Sequence, residues 1–182
     1  MKHIIILINL FLFALIVAPA TAQADTLSDK SEKLVSILSP FIGDFEGDHE
    51  EMKLNAHFNA RWNQTKTAMF FTWTSNLKES KKRVIQIYGV GVLDKDEKVV
   101  WHLHGSDGSK IDMKLVKHKK GKYEFQMSGS TPSGTLYEEV YWELMENGDF
   151  DHVITKKVVG GIPQKAFGFI LKKETEQKAL KN

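Results

Sequence analysis

The chain predicts an all-β protein, an antiparallel meander of about ten strands that closes into a barrel behind one short N-terminal helix. Two observations carry that prediction. Between Leu54 and Trp62, the residues Leu54, Ala56, Phe58, Ala60 and Trp62 alternate without a break with Asn55, His57, Asn59 and Arg61. A period of two places successive side chains on opposite faces of a sheet, so one face of this strand is dry. Similar segments follow almost to the C-terminus, and most of their separators are short runs of turn-forming residues. Short connections make neighbours in sequence neighbours in the sheet, and a long antiparallel meander with one apolar face loses both open edges by closing on itself.

The first residues read as an address. Lys2 supplies a positive start, residues 4–17 form an apolar run broken only by Asn9, and Ala18, Ala20, Ala22 and Ala24 follow. This is the pattern of a secretory signal peptide over residues 1–24, cleaved after Ala24 or, as the second choice, after Ala22. The apolar run of about 14 residues falls short of the roughly 20 needed to cross a bilayer, and nothing downstream is long or apolar enough to span one, so stable membrane insertion is not expected. No cysteine follows the run to carry a lipid anchor. The expected location is the periplasm or the cell exterior. With no cysteine among 182 residues, stability there must rest on burial of aromatic and branched side chains.

After cleavage, residues 28–39 place Leu34, Val35, Ile37 and Leu38 at helical spacing, with Ser28 or Asp29 able to cap the start. Pro40 ends the helix because the residue before a proline is pushed out of the helical region. Strands are expected over residues 45–52, 53–63, 67–75, 83–93, 99–104, 110–117, 123–127, 135–145, 150–159 and 166–172. Asn147-Gly148 is the strongest hairpin signal between them. No repeat or linker interrupts the series, so residues 25–172 read as one domain, and residues 173–182 as a charged tail with no apolar stripe to dock. The 25 Lys and Arg nearly balance the 23 Asp and Glu, which argues against nucleic acid as a partner. Basic runs at residues 78–83 and 117–122 fall at turns and read as solvated hairpin tips.

Following the helix and Pro40, Gly43-Asp44-Phe45-Glu46-Gly47 resembles the opening of a lipocalin-like, or calycin, barrel, whose first strand typically begins Gly-x-Trp. Here Phe45 stands where tryptophan is usual. In that fold the ring plugs the closed end of the barrel beneath the helix, a role phenylalanine can fill without the indole hydrogen bond. Tyr88-Gly89-Val90-Gly91-Val92-Leu93-Asp94, followed by Asp107-Gly108, is similar to a family of bacterial lipocalin-like domains of unknown function. The resemblance covers about residues 40–161 and implies a barrel that can hold a guest. A related barrel family binds haem through a histidine near the C-terminal strand. No histidine follows His152, so haem does not carry over and no cofactor is expected.

Several strands are apolar on both faces. Met69, Phe71 and Trp73 oppose Ala68, Phe70 and Thr72; Leu136, Val140, Trp142 and Leu144 oppose Tyr137, Glu139, Tyr141 and Glu143. Period alone does not say which side is lumen, and a small barrel is either filled by side chains or holds one small ligand. The expected lining is Trp62, Phe71, Trp73, Tyr88, Trp101, Phe125, Tyr141 and Trp142, with Arg61 or a histidine orienting a head group.

Chemistry is thinly signalled. His102 and His104 project from one face of a strand and, with His57, could form a three-nitrogen metal site, but no metal is expected. The serines of residues 129–134 lack the strand-turn-helix context of a nucleophile elbow. Glu139 with Tyr137 and Tyr141 is the better acid-base candidate, though a solvated outer face explains that trio more cheaply. Gly89 and Gly91 read as a close-packed or bent strand rather than as a phosphate loop. The reading that follows is an exported protein holding a small apolar or amphipathic guest, lipid or fatty-acid-like, without transforming it. Its rivals are a metal-assisted enzyme built on the histidine pair and an envelope interaction module with a filled barrel.

Overall fold

A computed structural model describes residues 28–174. The signal-peptide assignment and all but the start of the expected tail lie outside the described residues. A helix, α1, spans residues 28–38 and passes through a single 3₁₀ turn, Ser39–Phe41, into the strands. These are β1 (Gly43–His49), β2 (Leu54–Trp62), β3 (Met69–Leu77), β4 (Arg83–Leu93), β5 (Val99–Gly105), β6 (Lys110–Lys119), β7 (Lys122–Thr131), β8 (Gly134–Leu144), β9 (Phe150–Val159), β10 (Ile162–Gln164) and β11 (Phe167–Lys173).

Each strand from β1 to β9 pairs antiparallel with the next. Closure is made by β11, which pairs with β9 on one side, Phe169 opposite His152, and with β1 on the other, Phe45 opposite Lys173. Ten strands thus form a closed antiparallel barrel, as the sequence predicts. Apart from shifts of a few residues at strand ends, the largest being β7 running on to Thr131 instead of stopping at residue 127, two details differ from expectation. The first strand stops at His49 because Lys53 turns the chain with φ 50°, and the short β10 pairs only with β9, extending that hairpin beyond the barrel.

The inward face is the one that alternation selected in β2: Ala56, Phe58 and Ala60 are fully buried, whereas Arg61 is exposed. At the end where α1 lies, the interior is solid. Leu34, Leu38, Phe41 and Phe45 are each at most 1% exposed. The Phe41 ring sits 4.8 Å from both Tyr123 and Trp142 and 5.2 Å from Phe150, distances at which edge-to-face aromatic pairs add to simple area burial. Phe45 packs beneath it, 5.0 Å from Phe150. Outside this plug, α1 is tied to the barrel rim by the Ser31 hydroxyl donating to the Thr65 carbonyl (3.1 Å) and by an ion pair between Lys33 and Glu97 (2.7 Å).

Strand β4 makes room for this filling by what it lacks. A Cβ on Gly89 would stand 2.2 Å from the Phe71 ring, and one on Gly91 would stand 1.9 Å from Nε1 of Trp101. Both rings therefore lie against the backbone of β4, which is the close approach that glycine in a strand permits. Gly91→Ala is expected to destabilise the protein by about 1–3 kcal/mol through overpacking, and Phe41→Ala by about 3–5 kcal/mol through the cavity it leaves. Urea midpoints measured by far-ultraviolet dichroism check both, with an unchanged transition slope expected in each.

Candidate functional site

Beyond the plug the same barrel opens into a cavity of about 820 Å³. Its floor is made by Phe58, Phe71, Trp73, Trp142 and His152, and its aliphatic walls include Leu54, Leu103, Ile111, Leu136 and Ile154. The mouth lies at the end opposite α1, among the turns that carry Glu51, Asp107, Ser133 and Lys165. A volume of about 300–1,000 Å³ lined mainly by apolar groups is the usual form of a small-molecule pocket.

Three polar features interrupt the apolar wall. The Trp73 indole N–H donates to the Ser75 hydroxyl at 2.9 Å. Glu138, only 4% exposed, forms an ion pair with Lys157 at 2.7 Å. At the floor, the Trp142 indole N–H donates to Nδ1 of His152 at 2.6 Å, while the Trp73 ring lies 4.8 Å from the imidazole. An indole nitrogen can only donate, so Nδ1 accepts and the neutral ring carries its proton on Nε2. Desolvation pushes the His152 pKa down to about 3. The ring keeps some accessible surface, but that surface opens on the cavity rather than on bulk water, so the neutral form is favoured.

Local irregularity explains how these groups come together. Strand β9 points Phe150, His152 and Ile154 inward; its pairing with β8 then slips between Glu139 and Val140. The extra residue, Thr155, reverses the alternation, so Lys157 rather than Lys156 turns inward to meet Glu138. A bulge of this kind re-aims side chains.

Of the residues expected to line a lumen, Phe71, Trp73 and Trp142 stand on the cavity wall. Trp101 and Phe125 are buried in the solid half, 5.1 Å apart, and Trp62 packs against the core at the plugged end. The Trp101 indole N–H is buried without a hydrogen-bond partner. Three expectations are corrected by strand phase. Arg61, Tyr88 and Tyr141 all face outward. Arg61 binds the Asp44 carboxylate on the outer surface; burial alone would raise the Asp44 pKa, but hydrogen bonds from Arg61 and Asn59 outweigh it and hold the group below its ordinary value. Tyr88 is 51% exposed, and the Tyr141 hydroxyl donates to Glu143.

Of the histidine trio, His102 and His104 share the exposed outer face of β5, and His57 is separated from them. His102 meets Asp112 at 2.7 Å on the outer face, and His57 lies on β2, separated from β5 by two intervening strands, near Asp44. Tyr137 donates to Glu139 beside Lys156, again outside. The basic turns face carboxylates: Lys78 pairs with Asp48 and Glu50, Lys117 with Glu124, and Lys122 with Glu143.

No protein-family model matches the chain, and no curated protein matches it in sequence. The crystal structure of Rv2717c from M. tuberculosis is similar to this structure, with a TM-score of 0.60 over 78% of this chain and 98% of that one. The two share a barrel. Their sequences are 13% identical, so the likeness is one of fold alone.

His152 gives the fold a distinct pH response. The unfolded imidazole takes up a proton near pH 6.5, whereas the folded one does so only near 3. Across that window the unfolded state binds the extra proton, so the stability present above about pH 6.5 falls as pH drops, by up to about 1.4 kcal/mol per pH unit. Urea midpoints taken from about pH 7 down to about pH 5 should decline in the wild type and decline less steeply in His152→Phe.

Proposed function

We propose that this protein is a carrier or sequestering protein that holds one small apolar or amphipathic molecule, of lipid-like character, inside its barrel without transforming it. The cavity of about 820 Å³ is the observation that supports this reading most directly. Its wall is built from Leu, Ile, Met, Phe and Trp side chains. Removing a comparable apolar surface of a guest from water stabilises the complex by about 25 cal/mol for each Å². The polar wall groups support holding over chemistry, because Ser75 satisfies Trp73 and Lys157 satisfies Glu138.

Two companion proposals follow from the sequence. The barrel is of lipocalin-like type, supported by the Gly-x-Phe opening and by Phe45 plugging the closed end beneath α1 and its 3₁₀ turn. The chain is exported, with residues 1–24 removed, supported by the charged start, the short apolar run and the alanines that follow. The intact mass of protein recovered from an outer cell compartment, expressed with its own N-terminus, tests export. A mature chain beginning at Asp25 is expected, and a full-length product would reject it.

Binding is tested with Nile red, a neutral dye that brightens in apolar surroundings. Saturable enhancement at one site is expected. Met127→Trp, which builds a large ring into the cavity wall, should weaken uptake at least tenfold, while Tyr88→Ala on the outer face should leave it within twofold. Equal binding by the wild type and Met127→Trp would place the dye outside the barrel and defeat the carrier reading. Native mass spectrometry of the purified protein gives a second measurement, the mass of any co-purifying molecule.

A further inference from the structure

We infer that the guest enters head first and carries an uncharged hydrogen-bond acceptor, such as an ester or ketone oxygen, that receives Nε2–H of His152 at the cavity floor; a free carboxylate is disfavoured there. This rests on the carrier reading and narrows its ligand class.

The direction of the hydrogen bond comes from geometry. Trp142 occupies Nδ1 of His152 as a donor, which leaves Nε2 as the protonated nitrogen. Among the described residues Nε2 has no hydrogen-bond partner, and it is not one of the fully buried orphan atoms, a class that contains only Nε1 of Trp101. The free donor is therefore accessible from the cavity that His152 lines. It can be satisfied by an acceptor on a guest, and it cannot itself accept.

The charge requirement comes from the rest of the wall. The Asp, Glu and Lys side chains on the cavity surface are Glu51, Asp107, Glu138, Lys157 and Lys165, and His49, also on the wall, accepts the backbone N–H of Met52 on Nδ1, the arrangement of an uncharged imidazole. Lys157 is engaged by Glu138, and Lys165 by Glu51 at the mouth. Asp107 accepts from the backbone N–H of Ser109, and the Ser109 hydroxyl bond, the largest contribution, holds its carboxyl below the usual range, so it remains negative. Three carboxylates thus face two ammonium groups, with no cation left over for an anionic head. A carboxylate placed against neutral His152 would be desolvated at the cavity floor without a counter-charge, which is strongly unfavourable. An ester or ketone oxygen makes the same hydrogen bond without that penalty, and its alkyl body then lies along Leu54, Leu103, Leu136 and Ile154 toward the mouth.

The test displaces Nile red from the full protein with three guests of matched chain length at neutral pH: methyl laurate, laurate and dodecane. Methyl laurate should compete about five- to tenfold better than dodecane, the range of one net hydrogen bond, and at least tenfold better than laurate. In His152→Phe the ester and the alkane should become equal, while His152→Gln, whose amide can still donate, should keep part of the ester's advantage. Laurate competing as well as its ester overturns the inference, a comparison that needs no variant. An ester preference unchanged in a His152→Phe protein that still binds Nile red overturns it too. Binding without any ester preference sinks this inference alone, whereas failure of every guest and of the dye to bind removes the carrier reading and this inference with it.

Discussion

The pairing of β11 with β9 on one side and β1 on the other is the interaction on which the rest depends. Without it, β1 and β9 would each present an open edge and the apolar face would have no enclosed side to line. Closure turns a local property, alternation, into a global one, an inside. It also fastens the end of the last strand to the start of the first, since the backbone N–H of Glu174 donates to the carbonyl of Asp44.

What fills that inside is unevenly distributed. Near α1, rings from Phe41, Phe45, Phe58, Phe125, Trp142 and Phe150 touch one another, and β4 yields space to Phe71 and Trp101 through two glycines. Toward the other end the inward side chains become aliphatic and shorter, and the same circumference is left partly empty. The barrel is thus both of the things a small barrel can be, a packed core at one end and a container at the other. A close-packed half gives the container a rigid floor, and the Trp142–His152 hydrogen bond sits where the two meet.

Much of the site's polar chemistry was visible in the sequence but not recognisable there. Glu138 stands in the row of Leu136, Val140, Trp142 and Leu144, and a lone acid in an apolar row is a signal that a strict reading of alternation would have marked as inward. His152 likewise lies between Phe150 and Ile154. Lys157 could not have been found this way, because the bulge at Thr155 reverses the phase of β9 beyond it, and nothing in Ile154-Thr155-Lys156-Lys157 announces an extra residue. The large aromatics misled in the opposite sense. Trp101 and Phe125 are inward, but their positions along β5 and β7 set them in the solid end rather than on the cavity wall, while Tyr88 and Tyr141 are outward, where a phenol tolerates water.

The sequence by itself determined the strands, their antiparallel order and the dry face of a cleanly alternating strand such as β2, because alternation and turn chemistry act over a few residues and are written in those residues. Tertiary structure alone decided where the empty space lies and which polar groups share it. Those depend on ring packing between strands distant in the chain and on single-residue slips in register, neither of which leaves a local mark.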